Sequence, residues 1–148
     1  MTVTEQRQPP VSATDAERLT PLTRTDKLSL VVEILGAYTV VRWRMRRADI
    51  QTVVGQLRGN VNNRRSDYPL ARQLARAVAR TLTFLPTDNR CLVRSLVLDK
   101  LLARRSLQSI VVIAARAEPD FGGHAWVEHD GVALLPPGSA DYQRFAEL

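Results

Sequence analysis

Few residues in this chain have the right type and spacing to do chemistry. One cysteine, Cys91, lies in Arg90-Cys91-Leu92-Val93-Arg94-Ser95-Leu96, and 33 residues later comes Gly123-His124-Ala125-Trp126-Val127-Glu128. A thiol in the first turn of a helix meets the positive end of the helix dipole, which favours the thiolate. A histidine delivered by another element can then act as its base. A lone cysteine in an apolar helix is ordinarily a small buried hydrophobe. Three local signals argue otherwise here. Pro86 ends whatever helix precedes it, Thr87 or Asp88 is a good N-cap that puts Cys91 in the first turn, and Arg90 and Arg94 add positive charge. His124 opens an alternating run, with Ala125 and Val127 on one face and Trp126 and Glu128 on the other, as in a strand.

The other polar candidates read as structural. Ser95, one turn beyond Cys91, has no base near it in sequence and is expected to pack or to bond to the helix backbone. His129 adjoins Asp130-Gly131, a two-residue hairpin turn, and is expected to be exposed. One cysteine and two histidines at these spacings match no structural zinc site, so no metal is expected.

Taken together, Arg90-Cys91-Leu92-Val93-Arg94-Ser95-Leu96, the apolar run Ser109–Arg116 and Gly123-His124-Ala125-Trp126-Val127-Glu128-His129-Asp130-Gly131 resemble the leader peptidases of lasso-peptide biosynthesis. These are the B proteins or their stand-alone C-terminal halves. The resemblance covers roughly Leu28 to the end. It implies a transglutaminase-like cysteine-protease core and a Cys-His-Asp triad, so that Cys91 and His124 carry over directly. It also implies a precursor peptide as substrate, cut near a threonine at the end of the leader. The partners implied are a separate leader-recognition protein and a lasso cyclase. No cofactor is implied in the chain itself, and ATP dependence of the maturation complex is left open.

The third triad member does not carry over. The family's aspartate usually lies about a dozen residues past the histidine, where this chain reads Ala133-Leu134-Leu135-Pro136-Pro137-Gly138. Asp130 belongs to the hairpin tip, six residues from His124, about 20 Å at the rise of a strand. Glu128 shares the face of His124 but lies about 13 Å along it. Pro136 and Pro137 fall opposite His124. Three solutions stay open: Asp141 folding back to the imidazole, a backbone or amide acceptor, or a Cys-His dyad.

Several elements must position these residues. Residues 1–25, rich in Thr, Gln, Pro and Ser, read as a flexible arm. Residues 26–66 read as a helical N-terminal lobe suited to partner docking, with a helix over Lys27–Leu57 and a linker at Gly59–Asn63. Residues 67–148 read as the peptidase core. A second helix runs from Tyr68 to about Leu85, capped by Ser66 or Asp67, with Leu70, Leu74, Val78, Leu82 and Leu85 as its apolar stripe. A third runs from Asp88 to about Arg105. Ser109–Arg116 is β-branched and continuous, as a buried strand is. His124–His129 and Val132–Leu135 complete a three-stranded antiparallel sheet, and the tail from Asp141 to Phe145 docks an aromatic on the core. The fold class is α+β: N-terminal helices, then a small antiparallel sheet packed on the cysteine-bearing helix, the order a transglutaminase-like or papain-like core requires.

Bulk properties narrow the function. At 148 residues the chain is one domain with a small appended lobe. Of 21 Lys+Arg only Lys27 and Lys100 are lysine, leaving 19 arginines, and the net charge is +6. That favours acidic partners, but no zinc spacing, aromatic-basic interleaving or RNA-binding motif points to nucleic acid. One cysteine excludes an internal disulfide and fits a reducing compartment. With no signal peptide evident, the expected location is cytoplasmic. The apolar run Leu28–Val41 is too short and too interrupted for a membrane span. Arg42–Arg47 could lie on a membrane surface, but the expectation is a buried helix ending in a solvated basic face. The leading reading is a cysteine peptidase that removes the leader of a lasso-peptide precursor, with Cys91, His124 and Asp141 as candidate catalytic residues. The alternatives are a catalytically degenerate scaffold of the maturation complex and a basic nucleic-acid or membrane-surface binder.

Overall fold

A computed structural model describes residues 23–47, 66–85, 90–117, 121–139 and 141–148. Residues 1–22 of the arm expected over 1–25, the linker at 59–63 and the caps proposed at Thr87 and Asp88 lie outside them, while Thr23–Thr25 of that arm form the cap and first turn of a helix.

Helix α1 spans Arg24–Met45. Thr23 starts it with a reciprocal capping box: its hydroxyl accepts from the Asp26 N–H, and its own N–H donates to the Asp26 carboxylate. The helix ends at Met45, with Arg46 as C-cap and Arg47 in a turn; the part of the expected helix from 48 to 57 lies outside the described residues. Helix α2 spans Tyr68–Leu82; Asp67 caps it through Leu70 N–H, and Pro69 occupies its first turn. Helix α3 spans Arg90–Arg104. It ends in a Schellman motif in which Leu107 N–H reaches Leu102 C=O and Ser106 N–H reaches Ala103 C=O. Ser106 takes the left-handed position, with φ of 57°.

Among the described residues the sheet has four antiparallel strands, β1 (Ile110–Arg116), β2 (Gly122–His129), β3 (Val132–Ala133) and β4 (Gln143–Glu147). Their order is β3-β2-β1-β4. The fourth strand departs from the three-stranded expectation. It pairs with the free edge of β1 through main-chain bonds, which need no apolar pattern, and its charged side chains suit an exposed edge. A bulge between Ile113 and Ala114 leaves Phe145 81% exposed. The tail aromatic that packs on the core is Tyr142, not Phe145. Asp130 and Gly131 form the hairpin tip with φ of 50° and 76°, as a type I′ turn requires.

Helix α3 is the centre of the fold and touches α1, α2, β1 and β2. Its Leu96, Val97, Leu98, Leu101 and Leu102 are fully buried. Ile34, Ala37 and Val41 of α1, and Leu74, Ala75 and Val78 of α2, join Val111, Val112, Trp126 and Val127 in one core. Among the described residues the architecture is therefore three helices on a four-stranded antiparallel sheet, an α+β fold in which the cysteine-bearing helix packs against both other helices and the two central strands.

Candidate active site

Cys91 is the second residue of α3 and is half-buried. The first-turn N–H groups of a helix have no intrahelical acceptor, so the thiol sits where main-chain donors are available. Ser95, one turn on, is fully buried and its hydroxyl donates to Cys91 C=O at 2.9 Å. It is a backbone-bonded residue, as its spacing suggested.

His124 is the third residue of β2, and α3 packs against that strand. The imidazole is half-buried, and its Nε2 lies 2.8 Å from the carbonyl oxygen of Pro136. A carbonyl only accepts, so Nε2 carries the proton and Nδ1 is left as the basic nitrogen. Trp126 flanks the ring on one side, with centroids 6.0 Å apart and planes 29° from parallel. Tyr142 flanks it on another, at 5.6 Å. Among the described residues no hydrogen bond joins Cys91 Sγ to His124. Catalytic hydrogen bonds are often long in an unliganded site and tighten when substrate arrives.

The alternation of β2 places His124, Trp126 and Glu128 on one face. Glu128, nearly buried, accepts from Trp126 Nε1 at 2.9 Å and from Arg144 Nη2 at 2.6 Å. Arg144 also bonds to Glu147, which, with Glu128, raises its pKa above the ordinary guanidinium value. Glu128 therefore anchors the indole that backs His124. Pairing through Ala114 puts Arg144 level with His124, and its side chain reaches Glu128 past the Trp126 ring, whose centroid lies 5.7 Å from the guanidinium carbon.

The other acids and the second histidine are engaged elsewhere. Asp141 is exposed and accepts from Ser139 Oγ at 3.4 Å; among the described residues no hydrogen bond links it to His124. Asp130, at the hairpin tip, accepts from Ser66. His129 corrects the expectation of an exposed residue: it is 0% exposed. Its Nδ1 donates to Gln108 C=O, and its Nε2 accepts from Asp67 N–H at 3.3 Å. The approach of the α2 N-terminus buries it, a tertiary contact that position beside a turn does not reveal. Among the described residues no group of three His, Cys, Asp or Glu could hold a metal ion.

A groove of about 850 Å³ opens at this end of the sheet, lined by Ala115, Arg116, Phe121, Asp141, Gln143 and Phe145. It lies beside the start of β2, because Ala115 pairs with Gly123 and Arg116 with Gly122. The register expected from the sequence puts Pro136 opposite His124 and leaves a backbone acceptor open, but it assigns Gly138 and Tyr142 no role beside the ring. Only the glycine carried a signal, and a glycine after two prolines reads simply as a turn.

The profile of the transglutaminase-like superfamily matches residues 35–148. The chain belongs to that superfamily. It includes cysteine peptidases, and its fold often carries a cysteine protease or transferase. The match takes in α3 with Cys91 and the whole sheet with His124. No curated protein and no solved structure matches the chain. Among the described residues no helix is long and apolar enough to cross a membrane.

Proposed function

We propose that this transglutaminase-like protein is a cysteine peptidase that removes the leader from a lasso-peptide precursor. The observation that supports the reading is a first-turn thiol on α3 and, on β2, the strand α3 packs against, a histidine whose Nε2 is already engaged. Cys91 Sγ attacks the scissile carbonyl carbon as thiolate, its proton having passed to His124 Nδ1. The Cys91 main-chain N–H, a first-turn amide without an intrahelical acceptor, donates to the oxyanion in this reading. The C–N bond then breaks, and the imidazolium gives its proton to the leaving amine. Water, deprotonated by the same nitrogen, adds to the thioester carbonyl, and the thiolate leaves. The groove beside β2, with Phe121 and Phe145 exposed on its rim, is lined by neither Cys91 nor His124, and in this reading it holds a part of the peptide away from the scissile bond.

The partners follow from the same reading. A separate leader-recognition protein presents the precursor, and a cyclase takes the product. The docking surface we propose is the outer face of α1. Leu28 is 65% exposed and Val32 62%, with Leu35 and Trp43 on the same side. Both acids of α1 are engaged, Asp26 in the capping box and Glu33 with Arg104 and Arg105. The charges left at the ends of α1 are Arg24, Lys27, Arg42, Arg44, Arg46 and Arg47. An apolar patch with a basic rim fits an apolar partner surface with an acidic rim.

The test is mass spectrometry of precursor cleavage with and without the recognition protein. Wild type should cut at one site and much faster with the partner, because presentation raises effective concentration. Cys91→Ala should bind the complex and not cut. A folded Cys91→Ala protein that cuts at the wild-type rate would remove the mechanism. A wild type that assembles with its partners but never cuts would favour the scaffold reading.

A further inference from the structure

We propose that His124 is oriented by the main-chain carbonyl of Pro136 in place of a side-chain acid, with Gly138 as the positioning residue that permits it. This rests on the Cys91–His124 reading for its catalytic meaning, but the geometry stands independently. The Nε2 to carbonyl distance is 2.8 Å, an ordinary hydrogen bond. Among the described residues no carboxylate makes this bond: Glu128 is taken by Trp126 and Arg144, and the exposed Asp141 has its hydrogen bond with Ser139 and none with His124.

Gly138 closes the cradle. Its φ is +72°, a region that disfavours side chains. A Cβ there would lie 2.9 Å from His124 Cδ2 and 3.2 Å from Tyr142 Cδ2. Cδ2 is bonded to Nε2, so any side chain at 138 pushes on the edge of the ring that makes the Pro136 bond. Trp126 and Tyr142 limit how the ring can yield. The loop 136–138 therefore fixes the tautomer, proton on Nε2 and lone pair on Nδ1. A carboxylate would do the same and add a counter-charge; the carbonyl supplies orientation alone.

The experiment is long-range ¹H–¹⁵N NMR of the full chain, with kinetics on the same samples. Neutral His124 should show the Nε2–H tautomer in wild type. Gly138→Ala should shift that pattern and lower kcat by on the order of 10²-fold, the scale of a small misplacement of a catalytic group, with KM within about twofold, the mark of a loss confined to the chemical step. Gly138→Asn separates clash from backbone strain, since asparagine tolerates positive φ but still carries a Cβ. It should be as slow as Gly138→Ala. Asp141→Asn should keep the wild-type tautomer, whatever it does to peptide binding in the groove it lines. An Nδ1–H tautomer in wild type, a changed tautomer in Asp141→Asn, or normal kcat in Gly138→Asn would each overturn the proposal. If the alanine variant does not fold, the wild-type tautomer and Asp141→Asn still decide. If the protein cleaves no precursor, the peptidase reading fails, while the tautomer and its response to Gly138→Ala still test the cradle.

Discussion

The two histidines should respond to substitution in opposite ways. His129 is completely buried and makes two hydrogen bonds, Nδ1–H to Gln108 C=O and Nε2 from Asp67 N–H. Replacing it by leucine keeps a similar bulk but strands both main-chain groups. A stranded buried polar group costs about 1–3 kcal/mol. Gln108 and Asp67 are themselves exposed residues, so water recovers part of that, and the sum should fall near 2–4 kcal/mol. At roughly 2–4 °C per kcal/mol for a chain of this size, Tm should drop by about 5–15 °C. His124 is half-buried, and its one hydrogen bond is to a carbonyl on an exposed loop residue. His124→Ala should therefore cost about 1 kcal/mol or less in stability. Its activity should fall by on the order of 10³-fold or more, as for other bases of nucleophilic catalysis. Calorimetry and the cleavage assay, run well below both melting points, measure the two effects separately. An unchanged Tm in His129→Leu would mean that its buried hydrogen bonds contribute nothing. A collapse of cleavage in folded His129→Leu would mean that the roles of the two histidines have been exchanged.

Asp130→Asn should leave cleavage within about tenfold, or roughly 1.4 kcal/mol in barrier, because Asp130 lies at the hairpin tip and bonds to Ser66; a larger loss would show that it reaches the site. The Arg105 guanidinium, donating to Glu33 at 2.7 Å, with Arg104 beside it, holds that carboxyl below its ordinary value. A depressed acid adds stability above its unfolded pKa and loses it as pH falls through the folded one. Glu33→Gln should therefore flatten the acid limb of a Tm-against-pH curve, and parallel acid limbs would contradict this. Leu28→Glu with Val32→Glu should leave Tm nearly unchanged, since the sites are exposed, yet reduce the partner's stimulation of cleavage by tenfold or more, about 1.4 kcal/mol; full stimulation would remove α1 as the docking face.

Local chemistry determined much of this protein in advance. The capped helix at Tyr68, the apolar strand before Arg116 and the Asp130-Gly131 turn are decided within a few residues, by capping, side-chain period and backbone sterics. The two motifs that suggested chemistry, around Cys91 and His124, lie on the helix and strand that their patterns predicted. What tertiary structure alone decided concerns groups without a side-chain signature. The strand Gln143–Glu147 forms because the edge of β1 offers main-chain partners, although its sequence is polar. His129 is buried because α2 begins over it, across more than 60 residues of chain. The acceptor for His124 is a peptide carbonyl, which every residue carries and no sequence pattern marks. Only the folding of residues 136–138 against the ring, past a glycine with room for no Cβ, selects that carbonyl for the imidazole.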